Sequence, residues 1–203
     1  MITIINYGLG NLGSIFNMLK KIGAKSIISH DLDEINRAEK IILPGVGHFD
    51  RAMEKINQGG LREVLEVKAK EEKVPILGIC LGMQLLTRSS EEGQAAGLGL
   101  IPAKTVRFRF PDNSSLKIPH MGWNFVLRSS KSPLTEDFEE DFRFYFVHSY
   151  HAIVDDEKFS ILKTTHGYSF DSAIQSDNVF GVQFHPEKSH RFGMKLLRNF
   201  VEL

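Results

Sequence analysis

The sequence predicts an α/β fold with a mainly parallel central sheet flanked by helices and an antiparallel β extension. In the first half, short β-branched segments alternate with segments whose apolar residues recur at helical spacing. Strands that alternate with helices favour a parallel sheet covered on both faces. Between residues 100 and 151 the helical period disappears and short β patterns follow one another. We therefore expect an antiparallel insertion, after which the chain returns to the sheet.

The first half is predicted to hold four strands and four helices. The first strand is β-branched, and the helix after it places Leu12, Ile15 and Leu19 on one face before Gly23 ends it. The strands are expected at 2–6, 25–29, 40–43 and 74–79, and the helices at 12–22, 48–56, 61–71 and 81–88.

The second half is predicted to be mostly strands, followed by one closing helix. Residues 147–151 are expected to form a loop whose polar edges line a pocket, and the acidic run 136–141 to form a solvated loop. The strands are expected at 104–110, 116–119, 143–147, 159–164, 172–176 and 179–184, and the helix at 194–201. Without repeats or an obvious linker, residues 1–203 are expected to form a single domain.

Composition excludes several classes of function. Lysine plus arginine and aspartate plus glutamate both total 25, so the net charge is zero and a large basic surface for nucleic acid is not expected. The one cysteine cannot form an internal disulfide, which fits a reducing compartment. No apolar run approaches the roughly 20 residues that span a bilayer. A cytoplasmic protein is therefore expected.

The cysteine, Cys80, is the strongest candidate for a reactive group. It ends an apolar run, has Gly78 and Gly82 two residues away on either side, and precedes a helical pattern. Gly-x-Cys-x-Gly has the layout of a nucleophile elbow, with sulfur in place of oxygen. The positive end of a helix dipole favours thiolate over thiol at such a position. The alternative is a buried structural cysteine, a common fate of free thiols.

A cysteine nucleophile needs a base, and His185 is the best of the 8 histidines. It follows an apolar strand, and Glu187 lies two residues on, so both side chains point the same way in an extended backbone. Glu187 can then accept the second ring N–H and fix the tautomer. Cys80 and His185 each follow a predicted strand, and they meet if these strands are parallel neighbours. A surface histidine beside a surface glutamate is the alternative.

Attack on a carbonyl also needs hydrogen-bond donors for the oxyanion. The backbone N–H of Leu81 follows the nucleophile, and the glycine-rich loop 44–47 is a candidate for the second donor, although it also fits an anion-binding loop or a plain turn. Residues 8–13 fit a dinucleotide Gly-x-Gly-x-x-Gly, but the acidic residue expected later is replaced by Ser29 and His30, with Asp31 close by.

Metal binding is poorly supported, and an interface residue stands out. His148 and His151 lie three apart, without an accompanying carboxylate cluster. No metal or cofactor is therefore expected. Trp123, the only tryptophan, lies among glycine and polar residues, as an interface anchor does, although it also fits a core position.

As a set, these motifs resemble the class I, or triad-type, glutamine amidotransferases. The residues that carry this resemblance lie at 44–47, 78–84 and 185–187. A narrower resemblance, to the HisH group of glutaminase subunits of imidazole glycerol phosphate synthase, is carried by 6–12, 44–49, 119–124, 145–151 and 185–189. It covers essentially the whole chain.

The resemblance implies a flavodoxin-like fold and hydrolysis of glutamine through a glutamyl thioester on Cys80, with His185 shuttling the proton and Glu187 orienting it. It implies oxyanion donors at Gly47 and Leu81. The positions that match glutamine-binding residues are Gly45, Gln84, His148, Ser149 and Tyr150. Those that match partner-facing residues are Asn11, Met121, Trp123, Tyr145 and Lys188.

The implied partner is a HisF-type cyclase, a (β/α)8 barrel that forms a heterodimer with the glutaminase and uses the ammonia to make imidazole glycerol phosphate and an aminoimidazole carboxamide ribotide in histidine biosynthesis. The chain has no second active site for an ammonia acceptor, which agrees with such a partner. Departures at 86–93 and 107–110 keep open a HisH-like paralogue that supplies ammonia for amidation of a surface sugar with its own HisF-like partner. A non-catalytic scaffold and a cysteine peptidase of similar fold are further alternatives.

Overall fold

The computed structural model describes residues 1–138 and 141–203. Its first half alternates strands and helices, as predicted. The elements are β1 (Ile2–Ile5), α1 (Leu12–Lys21), β2 (Ser26–Ser29), α2 (Leu32–Asn36), β3 (Lys40–Gly45), α3 (Phe49–Asn57), α4 (Leu61–Lys70), β4 (Ile76–Cys80) and α5 (Leu81–Leu86).

The second half is mostly β, again as predicted. The strands are β5 (Ala103–Arg107), β6 (His120–Phe125), β7 (Leu127–Arg128), β8 (Arg143–His148), β9 (Tyr150–Val154), β10 (Ser160–His166), β11 (Tyr168–Ser176) and β12 (Val179–Val182). The closing helix is α6 (His190–Glu202), and short 3-10 turns span Pro133–Thr135, Glu157–Phe159 and Pro186–Lys188.

The main sheet is parallel at its centre and antiparallel on one side. The order β2-β1-β3-β4-β12 is parallel throughout, and β11, β10 and β7 continue it in antiparallel fashion. β9 pairs with β11 and β5, while β6 and β8 form a separate antiparallel pair. The fold prediction is confirmed, including the condition on which the site depends: β4 and β12 are parallel neighbours.

The core lies on both faces of the sheet because successive strand residues point to opposite sides. In β3, Ile41 and Leu43 pack under α3, α4 and α5, whereas Ile42 packs under α1 and α6. Covering both faces explains why the central strands are apolar runs rather than alternating patterns. None of the helices in the described part of the chain is long and apolar enough to cross a membrane.

Several predicted boundaries are wrong. The strand expected at 116–119 begins instead at His120, because Pro119 has no backbone N–H to give to a ladder. The strands expected to end at 110 and 184 end at Arg107 and Val182, and α5 ends two residues early. The strand expected to stop at 43 continues to Gly45, since this residue still pairs with Cys80.

Two further differences concern short elements. α2 was not predicted, because five residues are too few to show a period; Asp31 starts it by accepting hydrogen bonds from the N–H groups of Asp33 and Glu34 at 2.8 and 3.0 Å. Residues 147–151, which were expected to form a loop, contain the end of β8 and the start of β9, and Ser149 alone joins the two strands. In the acidic run 136–141, residues 139 and 140 lie outside the described residues, and Glu136, Asp137 and Asp141 are exposed.

Candidate active site

Cys80 occupies a strained position between a strand and a helix. It ends β4, and α5 begins at the next residue. Its φ of 55° and ψ of −112° lie in a backbone region that residues other than glycine rarely adopt. A Cβ on Gly82 would overlap the carbonyl oxygen of Leu43, and one on Gly78 would come within 2.6 Å of the Gly82 carbonyl oxygen. Both glycines are therefore required by close backbone contact, and the backbone adopts the predicted elbow.

His185 lies beside Cys80 because β4 and β12 pair in register. Val182 is opposite Ile79, so the chain beyond β12 continues alongside Cys80. The His185 Nδ1 atom donates to Glu187 Oε1 at 2.8 Å, and both side chains are almost fully buried. The predicted interaction between His185 and Glu187 is therefore present. Within residues 1–138 and 141–203, His185 Nε2 has no hydrogen-bond partner, which leaves it free to exchange a proton with the neighbouring thiol.

The electrostatics of the pair favour a charged histidine. Burial lowers the pKa of His185, but hydrogen bonding of the charged ring to Cys80 and to Glu187, and then the negative charges of these two groups, more than offset this effect and raise the pKa to about 10. Imidazolium beside thiolate is the arrangement that makes a cysteine nucleophilic near neutral pH.

A cavity of about 360 Å³ opens over Cys80, a volume within the range of small-molecule sites. Its lining includes nine residues that the sequence singled out: Gly47, Cys80, Leu81, Gln84, His148, Ser149, Tyr150, His185 and Lys188. Val46, Glu92, Pro119 and Val147 complete it. Two candidates lie behind the lining: Glu187 is beyond His185, and Gly45 is paired with Cys80 in the sheet.

The glycine-rich loop after β3 is held against Cys80 and the start of α5. A Cβ on Gly45 would come within 2.8 Å of the Gly82 backbone nitrogen and 2.9 Å of the Tyr7 hydroxyl oxygen, and Gly47 has a φ of 101°. Tyr7 Oη donates to the carbonyl of Pro44 at 2.7 Å. Burial, and then the negative charge of Cys80, raise the pKa of Tyr7, so this donor keeps its proton. Sequence reasoning missed Tyr7, although the quoted motif 6–12 contains it.

Two glutamines connect the cavity wall to the sulfur. Gln183 is fully buried, and its Nε2 lies 3.8 Å from Cys80 Sγ as a donor. Gln84 Nε2 donates to Gln183 Oε1 at 3.1 Å and to the Tyr150 carbonyl at 3.3 Å. Gln183 was missed, because a residue opposite the nucleophile is found only once the strand register is known.

Glu92 was also missed. Among the described residues that line the cavity, it alone carries a carboxylate, and its Oε2 accepts the Phe49 N–H at 2.8 Å at the start of α3. No sequence pattern identified it, because it lies in a loop rather than beside a strand end.

The predicted partner-facing residues lie mostly on one outward face of the β6–β8 pair. Met121 and Trp123 are 63% and 43% exposed, and Trp123 lies opposite Tyr145. Lys188 Nζ lies 5.7 Å from the centre of the Tyr145 ring. Trp123 is therefore not a core residue. Phe125, 53% exposed, extends this face and was not predicted. Asn11 lies apart, at the start of α1, which packs on the Pro186–Lys188 turn.

The other candidate sites have weaker support in the structure. Asp31, the acidic residue considered for a dinucleotide, uses its carboxylate to cap α2. Among residues 1–138 and 141–203, no group of three or more histidine, cysteine, aspartate or glutamate side chains is arranged to hold a metal ion.

Comparison with known families supports the interpretation that the geometry of the site suggests. The family model described as glutamine amidotransferase class-I matches residues 3–203, and the chain belongs to this family. Solved structures agree on the fold. The PurLQS structure from Thermotoga maritima is 22% identical with a TM-score of 0.71, over 99% of this chain and 97% of that one. A glutamine amidotransferase from the same organism is 17% identical with a TM-score of 0.63, over 99% and 80%.

Similarity to particular proteins narrows the class. The chain is 54% identical to imidazole glycerol phosphate synthase subunit HisH 2 of Methanococcus maripaludis, over 100% of this chain and 99% of that protein. It is 48% identical to subunit HisH 2 of Pseudomonas aeruginosa over the full length of both, and 46% identical to subunit HisH of Bdellovibrio bacteriovorus, also over both full lengths. The narrower resemblance to the HisH group is thereby confirmed.

The charge pairing at the site predicts how Cys80 reacts with iodoacetamide, which reports on this thiol alone because the chain has no other cysteine. The raised pKa of His185 keeps its ring protonated between about pH 6.5 and 10, a range in which an ordinary histidine is mostly neutral. We expect the positive charge on His185 to promote alkylation of Cys80 throughout this range. In Glu187→Gln the imidazolium loses a stabilising charge, so the alkylation rate should fall about tenfold, the equivalent of about 1.4 kcal/mol of lost interaction.

The control is His30→Gln, which alters an exposed histidine outside the site and should keep the wild-type rate. Equal rates for Glu187→Gln and the wild type would show that Glu187 does not support the charge on His185.

Proposed function

We propose that Cys80, His185 and Glu187 hydrolyse L-glutamine to glutamate and ammonia, within a single glutaminase domain spanning residues 1–203. The observation that carries the proposal is the 2.8 Å bond between His185 and Glu187 beside the elbow cysteine, on adjacent parallel strands under one cavity. Membership of the class I glutamine amidotransferases supports the same chemistry.

In the proposed mechanism, Cys80 Sγ attacks the carbon of the side-chain carboxamide. The N–H groups of Gly47 and Leu81 stabilise the oxyanion that forms. His185 Nε2 then gives its proton to the leaving nitrogen, and ammonia departs from a glutamyl thioester. His185, neutral at this stage, takes a proton from the attacking water, and glutamate leaves as the thiolate is restored. Glu187 orients the ring and stabilises its positive charge throughout.

Glutamine itself would be held by Gln84 and the segment 148–150. Gly45 would contribute by having no side chain, which leaves space beneath the cavity. We add Glu92 to this set, because its carboxylate is in the lining and matches the charge of the α-ammonium group. The role of His148 is indirect, since both of its ring nitrogens already have protein partners.

The ammonia would pass to a HisF-type cyclase barrel in a cytoplasmic heterodimer, for histidine biosynthesis. The names of the similar proteins, all subunits of imidazole glycerol phosphate synthase, support this partner. The outward face formed by Met121, Trp123, Phe125 and Tyr145 is a suitable docking surface, because exposed aromatic residues and methionine are enriched at interfaces. Asn11 and Lys188 are proposed to contact the partner as well.

A second pathway is kept as an alternative, in which the same chemistry amidates a surface sugar with another HisF-like partner. Two of the similar proteins are named subunit HisH 2. The catalytic proposal is the same in both cases.

The test of function and pathway is complementation. A strain that lacks HisH, given this chain with its cognate HisF-type subunit, should grow without histidine, and Cys80→Ala should not support growth. The purified complex should release glutamate, and Cys80→Ala should abolish the release. Failure to complement by a complex that does release glutamate would favour the alternative pathway, whereas glutamate release that survives Cys80→Ala would overturn the catalytic role.

Glu92→Gln tests recognition of the α-ammonium group. A charge-assisted hydrogen bond contributes about 1.5 to 3 kcal/mol, so we expect the KM for glutamine to rise at least about tenfold with little change in kcat. The analogue 5-amino-5-oxopentanoate keeps the carboxamide of glutamine but lacks its α-amino group. The preference for glutamine over this analogue should shrink by the same factor. Glu91→Gln is the control, since Glu91 pairs with Arg109 outside the lining. An unchanged preference in Glu92→Gln would exclude the contact.

Trp123→Ala tests the docking face. A buried aromatic anchor contributes about 2 kcal/mol or more, so affinity for the HisF-type subunit should fall at least about thirtyfold in titration calorimetry. Leu127→Ser removes an apolar side chain that is more exposed than Trp123, at 65%, from the neighbouring β7 and should bind normally. The opposite result would place the docking surface at the edge of the main sheet.

A further inference from the structure

A chain of polar side chains, half-buried at its outer end and buried at its inner end, runs from β6 to the active-site cavity. It consists of Asn124, His120 and His148, which we call the histidine chain. Asn124 Nδ2 lies 3.1 Å from His120 Nε2, and His120 Nδ1 lies 2.9 Å from His148 Nε2. The two histidines are opposite each other on β6 and β8, and each is about 5% exposed.

The outer end of the histidine chain is fixed by backbone groups. Asn124 Nδ2 donates to the Thr165 carbonyl at 2.9 Å, and Asn124 Oδ1 accepts the Phe125 N–H at 2.8 Å. These two bonds determine which amide atom is nitrogen. The second N–H of that nitrogen therefore points at His120 Nε2, which must be an acceptor, and the proton of the neutral His120 ring must be on Nδ1.

The inner end leads to the same assignment independently. His148 Nδ1 lies 2.7 Å from the Tyr150 carbonyl oxygen. Because a carbonyl only accepts, His148 Nδ1 carries a proton and Nε2 accepts from His120 Nδ1. Burial lowers the pKa of His120 to about 4 and that of His148 well below its usual value, so both rings are neutral at pH 7.

Beyond Tyr150 the hydrogen bonds continue to the nucleophile. The Tyr150 carbonyl also accepts from Gln84 Nε2, at 3.3 Å. Gln84 in turn donates to Gln183, whose Nε2 faces Cys80 Sγ. The Tyr150 carbonyl thus has one donor from the histidine chain and one from the cavity wall, and both of its lone pairs are used.

We propose that His120 is a positioning residue for glutamine binding: its Nδ1–H holds His148, which holds the Tyr150 carbonyl and so sets the backbone of 149–150 and the amide of Gln84 in the cavity. His120 is not in the cavity lining, so it acts only through these residues. The inference deepens the proposed glutaminase function and rests on it.

The kinetic test compares two replacements in the assembled complex. His120→Leu removes the donor, and we expect the KM for glutamine to rise about tenfold with kcat within threefold. His120→Asn offers an amide N–H near the Nδ1 position and should recover most of the loss. His166→Leu is the matched control, because the His166 ring stacks on that of His120 with centroids 4.3 Å apart, while its hydrogen bond is to the Lys117 carbonyl and not to the histidine chain. We expect a change of less than twofold for it.

The rate of Cys80 alkylation separates positioning from general damage. It should stay within twofold in His120→Leu, since the triad is not part of the histidine chain. Equal losses in His120→Leu and His120→Asn, or an alkylation rate that falls with the rise in KM, would overturn the proposal.

A measurement without substrate keeps the inference separate from the proposed function. Nitrogen NMR of the full chain labelled in histidine should show His120 and His148 as neutral Nδ1–H tautomers at pH 7, with His120→Asn assigning one signal. An Nε2–H tautomer or an imidazolium at either position would overturn the assignment. Absence of glutaminase activity in every variant, with the tautomers as expected, would refute the proposed function instead.

Discussion

The parallel pairing of β4 with β12 is the constraint on which the site depends. It brings together two segments that are far apart in sequence, and its register sets Gln183 beside Cys80 and leaves His185 and Glu187 just beyond the strand end. A shift of one residue would send every side chain of the segment to the opposite face. The apolar filling of both sheet faces therefore specifies the site as well as the core.

The conformation of Cys80 also depends on a close contact between backbones. The first turn of α5 lies against the end of β3, and Gly82 permits this approach to the Leu43 carbonyl. Cys80 takes the strained conformation that joins strand to helix, at a cost of about 1 to 3 kcal/mol. The surrounding residues offset this cost: every residue of α5 is buried, and Leu81, Met83, Leu85 and Leu86 belong to the core on that face.

The features that could be predicted from the sequence are those formed by residues close together in the chain. The elbow at Cys80 and the i, i+2 relation of His185 and Glu187 are short patterns, and the rule that sites form at the ends of parallel strands joined them. Tyr7, Glu92 and Gln183 were missed because each acquires its role from a residue far along the chain. The strand expected at 116–119 begins instead at His120, after Pro119, and its partner β8 is also distant in sequence.

His185 and His148 line the same cavity, yet their environments displace the pKa in opposite directions. Burial lowers the pKa in both cases. At His185 the opposing groups are the negative Cys80 and Glu187, which more than reverse the effect. At His148 the opposing group is the neutral Tyr150 carbonyl, while neighbouring histidines add to the lowering. The same side chain is therefore held charged on one wall and is a fixed neutral hydrogen-bonding group on the other. In the proposed mechanism, this separation would allow proton transfer at Cys80 without loosening the wall that would hold the substrate.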